Sequence, residues 1–493
     1  MILPALVILS CLILYILSYY KNVSRYPKGP LPLPLIGNLH QIEIYKTHLY
    51  LERLSKIYGP VFTVFLPKPT VVITDFDAVK EALLKKGSDF AGRPVGYPDV
   101  AFQSFKNGGI IFSQGENWME QRRTSLHILR DLGLGKNVVE QQVLRSVDEF
   151  LHQLEAEADK DHVDFRWPIQ LCVANVITEI LFGYHHDYNN CEEFKRIAEI
   201  VRNVVGGVRS HKMIYFAQQF PIIAKIPFVS RFGAGQIMTE AEKVKLYVRS
   251  EVDKHIREYD SNSQAETFVH GYLSEMARVG RRLSYEQLID IAVDFFLAGM
   301  ETTTTTLRWG VLLMVAYNDV QEKMREEIFS IVGREREVRM ADKPNMPYCS
   351  AVIMEVQRFA NILPFNVLHR TLRDTTVADK QIPNDTLVLA QISTVLSSSP
   401  AFEEPSIFQP MRFLHEDGKT FRKDTKEHFI PFGIGKRQCA GEPLAVVELF
   451  LIFTNLLRKY RLEVPPDGEL PDLDPLPAAL SLPRNYNAKI VSL

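Results

Sequence analysis

The longest unbroken run of hydrophobic residues lies at the start of the chain, where residues 2–20 are almost wholly apolar. About 20 apolar residues in a helix are enough to cross a bilayer. The run is longer than the apolar core of a cleaved signal peptide, and no small-residue cleavage site ends it. Lys21, Arg25 and Lys28 follow the run and nothing basic precedes it, which places the rest of the chain in the cytosol. The pattern predicts an uncleaved membrane anchor over residues 1–20.

The next segment, residues 21–38, combines basic residues with four closely spaced prolines. Proline fixes its own backbone angle, so this spacing predicts an extended, stiff segment. One interpretation is a plain linker. The other is a rigid hinge that fixes the globular part of the chain against the membrane.

The remaining pattern, over residues 39–493, is mainly helical. Two β-branched and aromatic runs within 61–75 predict a hairpin, and Asp77 is expected to cap a helix that runs towards Lys86. A long apolar helix is predicted from about Tyr285 to Ala316, and further strands are expected in the 380s and near the C-terminus. The fold class is therefore a single large, mainly α domain with a minor β sheet.

Composition and cysteine spacing argue against several kinds of partner and metal site. The chain of 493 residues is 46% hydrophobic and has a net charge of −2, which gives no reason to expect nucleic acid as a partner. The five cysteines are dispersed and lack Cys-x-x-Cys spacing, so they support neither a zinc site nor an iron–sulfur cluster. They do not suit a disulfide framework either, which favours a reducing compartment. They are Cys11, Cys172, Cys191, Cys349 and Cys439.

One of these cysteines lies in a frame of fixed residues. Phe432, Gly435, Arg437, Cys439 and Gly441 match the pattern Phe-x-x-Gly-x-Arg-x-Cys-x-Gly. The glycines let backbone N–H groups approach the sulfur, and such donors stabilise a thiolate that binds haem iron. Arg437 is suited to a haem propionate. The competing interpretation is a buried structural cysteine.

A second group lies in the long apolar helix. Ala298 and Thr302 are four residues apart and share one face, on which a small residue leaves room for haem and dioxygen. Glu301 and Thr302 form an alcohol–acid pair that is able to pass protons. The five threonines at 302–306 are expected to widen the helix locally. Taken alone, this stretch also fits an ordinary buried helix.

Three smaller patterns add charged side chains. Glu355 and Arg358 share a helix face, and a later arginine, Arg412, is expected to complete a buried structural network with them. Trp118 and Arg122 have the spacing to grip a propionate with an indole N–H and a guanidinium group. Arg93 and His369 are further candidates for the same task, although a lone histidine is more often a core or surface residue.

In this order along the chain, these motifs resemble those of the cytochrome P450 family, most closely its microsomal, family-2-like group. The resemblance implies a haem b cofactor with the Cys439 thiolate as axial ligand, and oxygen activation by Thr302 and Glu301. It implies propionate contacts from Arg93, Trp118, Arg122, His369 and Arg437, and a structural role for Glu355, Arg358 and Arg412.

The same resemblance implies a monooxygenase of class EC 1.14, anchored by a single pass in the endoplasmic reticulum membrane with its catalytic domain in the cytosol. Such an enzyme inserts one atom of O₂ into an apolar substrate such as a fatty acid, steroid or xenobiotic. NADPH would act only indirectly, through NADPH–cytochrome P450 reductase, with cytochrome b5 as an optional partner. No Gly-x-Gly-x-x-Gly motif is present, which agrees with an external reductase.

Several surfaces and alternatives remain open at this point. Basic residues expected near the cysteine are candidates for docking an acidic partner, namely Arg122, Arg123, Arg130, Lys423, Lys426 and Lys436. The apolar stretch Phe220–Phe228 is either a buried loop or a second membrane contact. A reductase-independent isomerase or dehydratase and a non-catalytic haem sensor are the two alternative functions.

Overall fold

The computed structural model describes residues 2–43, 46–96, 99–134, 137–207, 235–260, 264–279, 283–476 and 480–492. Most of these residues are helical, and the strands form three small sheets. The helices are α1 (Ile2–Val23), α2 (Thr47–Tyr58), α3 (Phe76–Lys80), α4 (Gly115–Asp131), α5 (Asn137–Ala156), α6 (Arg166–Phe182), α7 (Glu192–Gly207), α8 (Gly235–Glu258), α9 (Phe268–Val279), α10 (Tyr285–Ala316), α11 (Asn318–Val332), α12 (Pro347–Ala360), α13 (Ile392–Ser398), α14 (Lys423–His428) and α15 (Glu442–Lys459). The predicted fold class, mainly α with a minor sheet, is confirmed.

The strands are β1 (Val61–Leu66), β2 (Lys68–Ile73), β3 (His369–Arg370), β4 (Thr375–Val377), β5 (Lys380–Ile382), β6 (Leu387–Ala390), β7 (Tyr460–Glu463) and β8 (Lys489–Ser492). The largest sheet has the order β1-β2-β6-β3, in which β6 pairs in parallel with β2. The predicted hairpin is the antiparallel pair β1–β2, from Val61 opposite Ile73 to Leu66 opposite Lys68. The strands expected in the 380s and near the C-terminus are also present.

The helix after the hairpin begins two residues earlier than predicted. Asp75, not Asp77, is its N-cap, and its Oδ1 accepts a hydrogen bond from Ala78 N at 2.7 Å. Asp77 lies within the first turn, where its charge favours the positive end of the helix without capping it. The helix then passes into a single π-helical turn at Glu81–Lys85, which becomes important at the cysteine loop.

Helix α1 is the one helix among the described residues that is long and apolar enough to cross a membrane. Its span Leu3–Val23 has a mean hydropathy of 2.1, and by length and composition alone it fits an anchor. The helix continues three residues beyond the predicted end at residue 20.

The proline-rich segment packs against the domain and does not form a free linker. Pro27, Pro30 and Pro32 are buried, and the Asn38 side chain accepts a hydrogen bond from Phe65 N of β1 at 2.8 Å. The segment is not extended throughout, because it turns between Leu33 and Gly37, which form an isolated bridge.

Helix α10 is the central element of the core, and 25 of its 32 residues are buried. It packs against α6, α12 and α15. The local widening expected at residues 302–306 is wrong, since the whole run is α-helical. Alternate threonine hydroxyls bond instead to carbonyl oxygens one turn earlier, as Thr304 Oγ1 does with Met300 O at 2.7 Å, so the helix absorbs them without opening.

Candidate functional site

The cysteine loop connects residue 432 to the start of α15. Cys439 N donates to Phe432 O at 3.0 Å, which closes the loop. Gly435 has a φ of +80°, and a Cβ atom there would lie 1.8 Å from Leu83 O in the π-helical turn. Only glycine fits at this position, because a side chain would clash with backbone that cannot move aside. The loop is therefore seated directly on the π-helical turn.

The Cys439 thiol lies where α15 begins, with Gly441 as its N-cap residue. Burial is the largest influence on this thiol and raises its pKa, while hydrogen bonds from the backbone N–H groups of Gly441 and Glu442 and the charge of Arg122 lower it. A helix N-terminus and a nearby cation are the surroundings that favour a thiolate.

Cys439 differs from the other cysteines of the globular region. Cys172, Cys191 and Cys349 are buried, and each sulfur contacts a backbone carbonyl oxygen. The Cys439 side chain is exposed although its surroundings are desolvating. An exposed cysteine beside a helix N-terminus differs from these three packed cysteines, and this argues against the interpretation as a buried structural cysteine.

Arg437 lies two residues before the thiol and has carbonyl oxygens as partners. Its guanidinium donates to Ala91 O at 2.7 Å and to Ser113 O at 2.6 Å, and its carbon lies 3.7 Å from the centre of the Trp118 ring. Burial, followed by the charges of Arg93 and Arg122, lowers the pKa of Arg437 to about 7. Among the described residues no carboxylate forms an ion pair with Arg437. An anion placed here would stabilise the charged guanidinium.

Trp118 and Arg122 lie on α4 beside Arg437. The Trp118 Nε1–H is buried and has no acceptor among the described residues. A buried donor without an acceptor is rare and costs free energy unless a ligand satisfies it. Arg122 donates to Gln438 O at 2.6 Å, next to the cysteine, and burial lowers its pKa.

Arg93 and His369 complete this cluster. Arg93 is buried and donates to Ile111 O at 3.0 Å and to Leu368 O at 2.9 Å. His369 Nδ1 contacts Phe90 O at 2.8 Å, and burial together with the charges of Arg93 and Arg437 lowers the pKa of His369 well below its usual value. The structure thus brings the predicted propionate contacts into one cation-rich region, which fits a cofactor that carries two carboxylates.

On α10, Ala298 is exposed and Thr302 is half-buried, although nearly all surrounding residues of the helix are buried. Thr302 Oγ1 donates to Ala298 O at 2.7 Å. Glu301 turns to another side of the helix, where it accepts from Gln170 at 3.4 Å and lies 3.5 Å from Thr305 Oγ1. Burial raises the pKa of Glu301 to about 7. The two members of the predicted alcohol–acid pair therefore have separate partners in this structure.

The three residues of the predicted structural network meet in the core. Arg358 donates to both oxygens of Glu355 at 2.7 and 2.8 Å, and Arg412 Nε donates to Glu355 Oε1 at 3.0 Å. Glu355 is fully buried, and Gln409 N adds a further hydrogen bond to it at 2.8 Å. Both oxygens of this carboxylate are hydrogen-bonded, and the carboxylate is the ionic partner of both arginines.

Sequence reasoning missed two acidic residues of α10, Asp290 and Asp294. Asp290 Oδ1 accepts from Ser104 N at 2.8 Å, and Asp294 Oδ2 accepts from Ile110 N at 2.7 Å. Burial raises the pKa of Asp290 to about 6 and that of Asp294 to about 7. Two acidic residues one turn apart in an otherwise apolar helix were the signal that could have revealed them.

The aromatic side chains that the sequence offers as walls of an apolar substrate pocket include Phe102, Phe105 and Phe295. Phe102 is buried, Phe105 is 39% exposed, and Phe295 packs edge-on against Phe268 at 5.1 Å between ring centres. The stretch Phe220–Phe228 and residues 208 and 477–479 lie outside the described residues. Lys436 of the predicted docking surface donates to Ser88 Oγ at 2.7 Å, and Arg123 and Arg130 are exposed.

The exposed cysteine at a helix N-terminus, the buried indole N–H without an acceptor among the described residues and the cation-rich cluster together fit the iron and the two carboxylates of haem. The family model described as "Cytochrome P450" matches residues 27–490. The chain belongs to the cytochrome P450 family and is a haem monooxygenase of class EC 1.14.

Three relatives show where in the family its similarity lies. The chain is 33% identical to cytochrome P450 2H1 of Gallus gallus, with 99% of each chain covered. It is 36% identical to cytochrome P450 2C29 of Mus musculus, with 98% of each chain covered. It is 35% identical to cytochrome P450 2J1 of Oryctolagus cuniculus, over 95% of this chain and 92% of that one. These relatives agree with the family-2-like resemblance of the motifs.

Proposed function

We propose that this chain binds haem b through the Cys439 thiolate and hydroxylates or epoxidises an apolar organic substrate such as a fatty acid, steroid or xenobiotic. The accessible sulfur of Cys439 at the N-terminus of α15 is the observation that carries the proposal. When bound, a thiolate-ligated haem activates O₂ so that one oxygen atom can be inserted into the substrate.

The residues around Cys439 prepare it for this role. The N–H groups of Gly441 and Glu442 stabilise negative charge on the sulfur, and Arg122 adds a positive charge beside it. Phe432 closes the loop through its carbonyl oxygen, and Gly435 seats the loop on the π-helical turn.

The cation-rich cluster would bind the two propionates. Trp118 offers an N–H that has no acceptor among the described residues, while Arg93, Arg122 and Arg437 offer guanidinium groups that are already oriented by backbone carbonyls. His369, held neutral, contributes a ring nitrogen and no charge. Fixed donors lose little conformational freedom on binding, which favours a tightly held cofactor.

Thr302 and Glu301 supply protons on the substrate side of the site. Thr302 keeps its hydroxyl at the accessible face of α10 beside Ala298, and its proton is engaged with the Ala298 carbonyl. Glu301, whose pKa of about 7 lets it hold and release a proton near neutral pH, must leave Gln170 and Thr305 to reach Thr302. A rotation of the Glu301 side chain is therefore part of the proposed proton supply.

The proposal includes a structural network, a location and partners. Glu355, Arg358 and Arg412 hold the core beneath the cysteine loop. Residues 1–20 anchor the chain in the endoplasmic reticulum membrane, 21–38 form the hinge, and 39–493 form the cytosolic catalytic domain. NADPH–cytochrome P450 reductase delivers the electrons, with cytochrome b5 as an optional partner, and the basic residues near the cysteine receive an acidic partner surface.

A ferrous–CO difference spectrum of the full chain tests the ligand. Wild-type protein should give a thiolate-type band, Cys439→Ser should lose it, and Cys191→Ser should keep it as a matched control. A thiolate-type band retained by Cys439→Ser would overturn the assignment.

Product formation that requires both NADPH and the reductase separates the proposed reaction from the two alternatives. An isomerase or dehydratase needs neither, and a sensor turns over no substrate. A screen of apolar compounds by spectral binding would then identify the substrate class.

A further inference from the structure

The buried carboxyl group of Asp294 on α10 binds two consecutive backbone N–H groups. Ile110 N and Ile111 N both donate to its Oδ2, at 2.7 and 2.9 Å. Two N–H groups converging on one oxygen fix its position and favour its negative charge. Asp294 therefore determines where this turn of the 104–114 segment lies relative to α10.

The peptide group between Ile110 and Ile111 carries two opposite contacts. Its N–H donates to Asp294 Oδ2, and its carbonyl oxygen accepts from Arg437 Nη1 at 3.3 Å. Hydrogen bonds at the two ends of one peptide group polarise each other. A carboxylate on α10 and a guanidinium beside the cysteine loop are thus joined through a single peptide group.

The same turn also contacts Arg93. The carbonyl oxygen of Ile111 accepts from Arg93 Nε at 3.0 Å. The two residues whose N–H groups bind Asp294 therefore offer their carbonyl oxygens to two different arginines. Both arginines belong to the cation-rich cluster.

Two glycines show that this close approach is built into the chain. A Cβ atom at Gly109, whose φ is +74°, would lie 2.4 Å from Asp294 Oδ2. A Cβ atom at Gly108 would lie 1.9 Å from Asp290 Oδ2. The backbone can lie against both carboxylates only because these positions lack side chains.

We propose that Asp294 is a positioning residue for haem binding, which orients Arg437 and Arg93 through the turn at residues 110–111. Asp294 itself does not touch the cofactor. The proposal rests on the proposed function, in which both arginines hold propionates. Within the described residues Asp294 is the acidic side chain that reaches Arg437 through one peptide group.

Haem transfer from the purified holoenzyme to excess apomyoglobin tests the proposal without measuring turnover. Asp294→Ala should release haem at least about tenfold faster, the scale expected for losing hydrogen bonds to a charged group. Asp294→Asn should be intermediate, because its amide oxygen still accepts the N–H groups without carrying charge. Asp290→Ala is the matched control, since Asp290 binds Ser104 N one turn earlier and should leave the rate within about twofold of wild type.

Gly109→Ala disturbs the contact between Asp294 and the turn at residues 110–111 without removing Asp294. It retains Asp294 but places a methyl group against Oδ2, so it should also accelerate haem release, and it keeps the test decisive if Asp294→Ala does not fold.

The midpoint potential of the haem is a second measurement, and weaker packing around the haem does not by itself explain a difference between two Asp→Asn variants. At pH 8, above the pKa of about 7 that burial gives Asp294, Asp294→Asn should raise the potential more than Asp290→Asn, because the loss of a coupled negative charge favours the reduced form.

Two results would overturn the proposal. One is haem release at the wild-type rate from both Asp294→Ala and Gly109→Ala, and the other is equal acceleration by Asp290→Ala. A wild-type protein without a thiolate-type ferrous–CO band would instead contradict the proposed function, so the two failures are distinguishable.

Discussion

Two clusters of buried charge in this protein have opposite balances. Around Glu355, both oxygens of one carboxylate are bonded to Arg358, Arg412 and a backbone N–H group. Around Arg437 lie three guanidinium groups and an indole N–H. Within the described residues this N–H has no acceptor and Arg437 has no ion-pair partner. The charged groups of the first cluster find their ionic partners within the protein. The second cluster has hydrogen-bond donors that are able to bind an anion. A network in which each charged group has an ionic partner within the protein, here called compensated, indicates structure, and a cluster of cations without such a partner indicates a ligand.

The largest expected effect comes from breaking the compensated cluster. Glu355→Ala leaves two arginines buried without their carboxylate, which should reduce the free energy of unfolding by about 3–5 kcal/mol. Urea unfolding measures this loss. The exposed pair Lys46–Glu43 is the control, and Glu43→Gln should cost less than about 1 kcal/mol. Equal effects of the two substitutions would remove the distinction between the clusters.

Glu448 on α15 is a single buried carboxyl group, and it tests what a buried charge costs when it is not part of a compensated cluster. It is buried, its hydrogen-bond partner is Thr303 Oγ1 at 3.1 Å, and burial raises its pKa to about 8 from the ordinary 4.5. Because the folded state holds this proton more tightly than the unfolded state, stability should fall as pH rises from about 4.5 to 8, by at most about 1.4 kcal/mol per pH unit.

The variant Glu448→Gln should lack this dependence and gain stability relative to wild type across the same pH range. Unfolding measured at pH 5, 6.5 and 8 checks the trend. Parallel curves for the two proteins would show that Glu448 is not held in its neutral form.

Breaking the uncompensated cluster should affect ligand binding more than folding. Arg437→Met removes a buried cation that has no ion-pair partner among the described residues, so the apoprotein should lose far less stability than with Glu355→Ala. Haem affinity should fall at least about tenfold, because each hydrogen bond to a charged group contributes roughly 1.5–3 kcal/mol. Haem titration and urea unfolding of the apoprotein separate the two effects. A large loss of apoprotein stability with unchanged haem affinity would reverse the comparison.

The smallest expected effect comes from a single donor. Trp118→Phe retains an aromatic ring for contact with Arg437 and removes the Nε1–H that lacks an acceptor among the described residues. Apoprotein stability should be unchanged, whereas haem affinity should decrease by about 1 kcal/mol, the usual contribution of one hydrogen bond. Haem titration of the variant measures it. Unchanged haem affinity would show that this N–H does not contact a propionate.

Local patterns in the sequence predicted much of this molecule. The bounds of α10, the β1–β2 hairpin and the apolar N-terminal helix follow from hydrophobic periodicity and turn residues. Errors occurred where tertiary contacts compete with local rules. Asp75 takes the cap in place of Asp77, and the threonines of α10 satisfy their hydroxyls within a regular helix.

The cysteine in its glycine frame, the Glu–x–x–Arg pair and the apolar N-terminal helix could be read from the sequence, because each is encoded by residues a few positions apart. The tertiary structure decided that the Trp118 N–H has no acceptor in the described part of the chain and that Glu301 turns towards Gln170. It also decided that Asp294 reaches Arg437 through one peptide group. Ile110 and Arg437 are 327 positions apart, and Ile111 and Asp294 are 183 apart. Such contacts depend on how whole elements pack, and no local spacing records them.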